Sequence, residues 1–192
     1  MILPIIAYGT PILRQEAVDI DGGYPNLQKL IDDMWETMYA SNGVGLAAPQ
    51  VNRNIRLFVM DSAQIFAHQE EDEKGLYPDE PGTKQVFINA HVVGLNGQDW
   101  IYNEGCLSIP KIREDISRPD TVTIEYMDEN FEKHTGIFNG ITGRIIQHEY
   151  DHIEGKLFID YLKPFKRKLL QGKLTDITKG KIKVDYKMIF PK

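Results

Sequence analysis

A chain of 192 residues with 42% hydrophobic content is long enough to bury one core, and its 26% charged residues are too ordinary for a disordered or fibrous protein. A single cysteine excludes an internal disulfide and suits a reducing compartment. The net charge of −6 conceals an asymmetry: residues 163–192 carry ten Lys/Arg against two Asp, a net of +8, on a body of net −14.

The apolar opening Met1-Ile2-Leu3-Pro4-Ile5-Ile6-Ala7 is short, holds a proline and lacks a basic flank, so it does not read as a signal peptide. No later apolar run is long enough to span a membrane, and a cytoplasmic protein is the expectation. Tyr8-Gly9-Thr10-Pro11 reads as a turn. Pro25 is placed as a first-turn proline ahead of Leu27, Leu30, Ile31, Met34, Trp35 and Met38, which follow the spacing of an amphipathic helix. That helix ends near Ala40, stopped by Asn42-Gly43. In Gly43-Val44-Gly45-Leu46-Ala47-Ala48-Pro49-Gln50 the glycines and small residues permit close backbone approach; alone, the segment is a helix-to-strand turn.

Ile55–Met60 is a predicted strand. Residues 62–84 lose periodicity, and their acidic residues, Pro78, Pro81 and Gly82 read as an exposed loop: a surface insertion rather than a lid. Gln85–Leu95 is a strand, and Asn96-Gly97 predicts a hairpin turn into Trp100-Ile101-Tyr102. Ile116, Val122, Ile124 and Tyr126 mark another strand, followed by Lys133–Phe138. Asn139-Gly140 introduces a helix running to about Ile153, with Gly155 beyond its end. Residues 165–178 are predicted helical with Phe165, Leu169, Leu170 and Leu174 on one face, and Val184–Phe190 as a short strand. The expectation is a single α+β domain over residues 1–192, with antiparallel strands packed around one buried helix and 163–192 as a basic C-terminal helix and tail.

That buried helix carries the chemistry. Gln147-His148-Glu149-Tyr150-Asp151-His152 contains H-E-x-x-H, whose histidines share a helix face and reach one metal ion. Glu149 sits one step round, where it touches water at the metal without being a ligand. Three fixed residues recur by chance, but Ile141, Ile145 and Ile146 bury this helix, and buried histidines and glutamate need partners. The pattern H-E-x-x-H-x-x-G-x-x-H fails because Phe158 stands at its last position. A downstream Glu ligand also fails, since no Glu follows Glu154. The remaining good ligand is the lone Cys106, in Glu104-Gly105-Cys106-Leu107-Ser108-Ile109-Pro110; a Cys/His/His set leaves a position open for water.

The three motifs GVGLAAPQ (43–50), EGCLSIP (104–110) and QHEYDHIEG (147–155), in this order, resemble peptide deformylase, a likeness covering roughly residues 1–162. The resemblance implies removal of the formyl group from N-formyl-methionyl nascent polypeptides, with release of formate. It implies ligands at Cys106, His148 and His152, a general acid/base at Glu149, and oxyanion stabilisation by Gln50 and the backbone N–H of Leu107. It implies Fe2+ as the physiological metal, with Zn2+, Ni2+ or Co2+ able to substitute. Val44, Ile141 and Ile145 are candidates for the methionine slot, Gly45 for backbone contacts to the peptide, and Arg113 for a contact further along it. Glu104 and Arg118 are expected to pair beneath the site, and each ligating histidine to pass its second N–H to a carboxylate or carbonyl, Asp151 being one candidate. His68, His91 and His134 fall outside any motif. The alternatives are another metallohydrolase such as a small endopeptidase, a cysteine hydrolase using Cys106, and a structural metal site on an RNA-binding module. The basic tail is either a ribosome contact or a solvated helix resting on the acidic body; neither DNA nor a membrane is an expected partner.

Overall fold

The structure, a computed structural model, describes residues 1–67, 75 and 78–191. The elements in chain order are β1 (Ile5–Ile6), α1 (Leu27–Ala40), β2 (Gly45–Ala47), β3 (Leu57–Asp61), α2 (Ala63–Phe66), β4 (Lys84–Cys106), β5 (Ile109–Met127), β6 (Lys133–Phe138), α3 (Gly140–Ile153), α4 (Pro164–Thr178) and β7 (Met188–Ile189). Among the described residues, five strands form an antiparallel sheet in the order β2-β3-β4-β5-β6, while β1 and β7 pair in parallel. The α+β arrangement expected from the sequence is what the chain adopts.

The helix α3 lies against this sheet. Its Ile141, Ile145, Ile146 and Ile153 pack with Phe58, Met60, Phe87, Val122 and Ile124 in one cluster. Each such side chain removed from water contributes about 1.5–3 kcal/mol, which offsets the burial of the polar residues on the same helix. The helix ends as predicted: Gly155 has φ +69°, Lys156 N–H reaches the Asp151 carbonyl at 2.8 Å, and Gly155 N–H reaches that of His152 at 3.3 Å. It starts at Asn139-Gly140 as predicted, but the group that caps it was not legible. Asn139 makes no side-chain cap; Asp79 accepts from Thr142 N–H and Thr142 Oγ1, both at 2.7 Å. A carboxylate from the 62–84 stretch therefore satisfies the first turn and complements the helix dipole. That stretch also forms α2, so it is not all exposed loop. His68 and the run Glu70–Glu73, with any lid they would form, lie outside the described residues.

The predicted hairpin at Asn96-Gly97 is absent; β4 runs unbroken to Cys106 against β5. Asn96 pairs with Thr121 and Asp99 with Pro119, so Asn96-Gly97 is a bulge in one long strand. Gly97 has φ +81°, a conformation that serves a bulge as well as a tight turn. The reversal comes instead at Leu107-Ser108, between the paired Cys106 and Ile109. Pro25 precedes α1 rather than opening it, because Asn26 takes a left-handed conformation as the residue before the helix. In α4 the inward stripe is Leu170, Leu174 and Ile177, whereas Phe165 and Leu169 are 75% and 67% exposed. The strand predicted over Val184–Phe190 is confined to Met188–Ile189.

Candidate active site

Two elements meet to form the site. Helix α3 presents His148 and His152 one turn apart, their rings 5.2 Å between centroids. The end of β4 brings Cys106 to them, with Sγ 3.2 Å from His152 Nε2. The candidate ligand atoms of Cys106, His148 and His152 all lie within 4.8 Å of one another. Two ligands of a tetrahedral divalent ion, one sulfur and one nitrogen, stand about 3.5 Å apart, so this donor set fits a metal and leaves a position for water. Asp128, Glu132 and His134 also cluster near the surface, but His134 is engaged by Asp128 at 2.8 Å. His91 lies 3.4 Å from Asp19 at the surface.

A buried ionic network holds the histidines. His148 Nδ1 lies 2.9 Å from Glu104 Oε2. Glu104 also accepts from Arg118 at 2.7 and 3.0 Å and from Arg144 at 3.0 Å. Arg118 donates in turn to Asp151 Oδ2 at 2.6 Å. The expected Glu104–Arg118 pair is therefore present, and the second N–H of His148 goes to Glu104. Asp151 is buried and serves Arg118 rather than a histidine ring. Burial by itself raises the Glu104 pKa, but the hydrogen bonds from His148 and Arg118 outweigh it and hold the carboxyl well below its ordinary range. Among the described residues, His152 Nδ1 has no hydrogen-bond partner.

Glu149 faces different surroundings. It is buried, its Oε2 has no hydrogen-bond partner among the described residues, and burial pushes its pKa up to about 7. The backbone of β2 runs directly against it. A Cβ on Gly45 would sit 2.7 Å from Glu149 Cγ and Cδ, and nearer still to Oε1. Small residues in the 43–50 stretch thus permit the predicted close approach, and the neighbour is the Glu149 carboxylate. A carboxyl poised near neutrality beside a metal-type donor set can take and return protons.

Most of the remaining predicted residues gather around a cavity of about 750 Å³. Gln50 is buried, accepts from Ala47 N–H at 2.8 Å, and points its amide nitrogen to Ser108 Oγ at 3.2 Å and Cys106 Sγ at 3.5 Å. Val44, Gly45, Leu107 and Ile145 line the cavity. Ile141 does not. It is buried in the sheet–helix core with Phe87, one turn before Ile145 and two before His148 along α3, and does not reach the cavity. Arg113 lines the cavity with its guanidinium held by Asn103, to Oδ1 at 2.9 Å and to the carbonyl at 2.5 Å.

Arg144 and Tyr186 were missed in the sequence. Arg144 is buried, bonds Glu104 and the Trp100 and Ile116 carbonyls, and stacks 4.6 Å from the Trp100 ring. Its signal was available, since 144, 148 and 152 are successive turns of one helix face. Tyr186 lies in the basic tail, far from every motif, yet lines the cavity and donates to the Leu107 carbonyl at 2.8 Å. Burial, with a smaller contribution from the Cys106 sulfur, pushes its phenol pKa up.

Comparison with known proteins agrees with this geometry. The family model described as polypeptide deformylase matches residues 2–168. The peptide deformylase of Christiangramia forsetii is 53% identical over 193 residues, spanning 100% of this chain and 97% of the relative. That of Flavobacterium johnsoniae is 50% identical, spanning 99% and 96%. Among solved structures, peptide deformylase from Ehrlichia chaffeensis superposes with a TM-score of 0.81 at 31% identity, covering 94% of this chain and 99% of that one. The Legionella pneumophila enzyme superposes with 0.78 at 32% identity, covering 94% and 98%. No described helix is long and apolar enough to cross a membrane. A metal-type donor set beside a carboxyl of near-neutral pKa, in a chain alike end to end with these enzymes, places this protein in the polypeptide deformylase family, metal-dependent hydrolases that remove the formyl group from the N-terminus of nascent peptides.

Proposed function

We propose that Cys106, His148 and His152 hold the metal, iron(II) in the cell, and that Glu149 is the general acid and base. The observation that carries this is the convergence of the three donors beside a buried carboxylate of near-neutral pKa. Zn2+, Ni2+ or Co2+ fit the same donors, because a Cys/His/His set does not by itself select iron. When bound, the metal supplies a Lewis acid that acidifies water and polarises the formyl carbonyl. Glu149 accepts the proton of the attacking water and delivers it to the departing amine. The Gln50 amide and the Leu107 N–H receive the negative charge that grows on the formyl oxygen; losing one such donor costs on the order of a hundredfold in rate or more. Glu104 fixes the ring of His148, and Arg118 and Arg144 keep Glu104 ionised.

The substrate is an N-formyl-methionyl peptide, with Val44, Gly45 and Ile145 beside its first residue and Arg113 further along the chain. Residues 1–192 act as one catalytic domain, tail included. The enzyme works in the cytoplasm at the ribosome, which Lys168 and Lys173, exposed on α4 and without an ion pair among the described residues, contact through phosphate charge. The test is formate release from a short formyl-methionyl peptide by protein loaded anaerobically with iron(II), beside a chelated sample and Glu149→Ala. Release lost in both controls is expected. Release that survives chelation, or Glu149→Ala with wild-type turnover and metal content, would overturn these assignments.

A further inference from the structure

The segment beyond α4 returns to the cavity, and the topology shows how. The short strand β7 pairs in parallel with β1, Ile5 with Met188 and Ile6 with Ile189. Ile5 N–H donates to the Lys187 carbonyl and Ala7 N–H to that of Ile189, both at 2.8 Å. This pairing fixes the chain immediately after Tyr186, and the residues Lys183–Tyr186 form part of the cavity wall. From there the Tyr186 hydroxyl reaches the Leu107 carbonyl at 2.8 Å.

Leu107 sits in the two-residue turn between the paired Cys106 and Ile109. Other contacts on this turn act on Ser108: Tyr8 N–H reaches its carbonyl at 2.9 Å, and Gln50 its hydroxyl at 3.2 Å. Among the described residues, Tyr186 supplies a side-chain hydrogen bond to Leu107 itself. The leucine side chain packs against Gly43, where a Cβ would meet Leu107 Cδ1 at 2.9 Å. The carbonyl and N–H of one residue flank the same Cα, so anchoring the first limits rotation of the second. A donor to an oxyanion works only when it is already aimed.

We propose that Tyr186 is a positioning residue for deformylation, its hydroxyl holding the Leu107 carbonyl so that the Leu107 N–H stays directed at the oxyanion. The proposal rests on the oxyanion role assigned to Leu107 above. It makes the segment beyond α4 part of the catalytic unit.

The test compares metal-loaded wild type with Tyr186→Phe, which removes one oxygen and keeps the ring. A neutral hydrogen bond of ordinary net strength corresponds to a kcat lower by roughly three- to tenfold. KM for a formyl-methionyl dipeptide stays within about twofold, with metal content and melting temperature unchanged. Amide hydrogen exchange across 104–110 becomes several-fold faster, while that at 5–7 holds. Unchanged exchange at 104–110 would show that Tyr186 does not hold the turn. Faster exchange with unchanged kcat would instead remove the oxyanion role of Leu107. A rise in KM with kcat intact would make Tyr186 only a wall of the cleft. Each of these three results overturns the proposal.

Discussion

Gly45→Ala separates the catalytic placement of Glu149 from metal binding. The new methyl would lie 2.7 Å from Glu149 Cγ and Cδ, where ordinary contact begins at 3.4 Å. Relieving the contacts to Cγ and Cδ takes a movement of about 0.7 Å, and Oε1, nearer still, must move further. Strand β2 is not free to do so, since Gly45 pairs with Met60 and Leu46 with Val59 in the sheet. The backbone of α3 is held by its isoleucines in the core. The carboxylate is the part that gives, its Oε2 having no hydrogen bond among the described residues to hold it. A displacement approaching 1 Å at a reacting group costs about a hundredfold in rate. Overpacking costs about 1–3 kcal/mol of stability, which the fold tolerates. The assay is steady-state formate release at measured metal occupancy, with chemical denaturation alongside. Expected are a kcat lower by about a hundredfold, full metal content and a folded protein. A kcat within threefold of wild type at equal occupancy would refute the argument. A rise confined to KM would assign Gly45 to the peptide and not to Glu149.

Two other perturbations test the surroundings of the site. Glu104→Gln leaves one carbonyl oxygen where Arg118, Arg144 and His148 need two carboxylate oxygens; metal affinity should fall about 10- to 100-fold in a chelator competition, and an unchanged midpoint would deny Glu104 its part in holding His148. Lys168→Glu with Lys173→Glu should reduce co-sedimentation with ribosomes at low salt while leaving formate release from free peptide intact; equal sedimentation would end the proposal that α4 docks there.

What was legible in the sequence followed from local rules. The proposed ligand pair His148 and His152 obeys helical periodicity, and the end of α3 obeys the requirement for a left-handed residue at Gly155. Cys106 was reached by elimination, as the lone cysteine of a chain without a downstream Glu. Local rules misled where a partner strand changed the outcome. Asn96-Gly97 has the composition of a hairpin turn, but β5 offers hydrogen bonds along its whole length, so the strand bulges and continues. Ile141 and Ile145 share a helix face and both pack in the sheet–helix core, but of the two Ile145, a turn nearer His148, is the one that lines the cavity.

The sequence by itself determined the reaction class, because metal chemistry needs particular atoms and those atoms are spelled out in three short motifs. Tertiary structure alone decided how those atoms are held. The cap from Asp79, the Glu104 network that takes in Arg144 and Asp151, and the return of Tyr186 to the Leu107 turn join residues far apart along the chain. Their spacing carries no periodicity to read. They come together because burying α3 against the sheet leaves its polar groups without water, and each must find a partner among whatever elements the fold brings near.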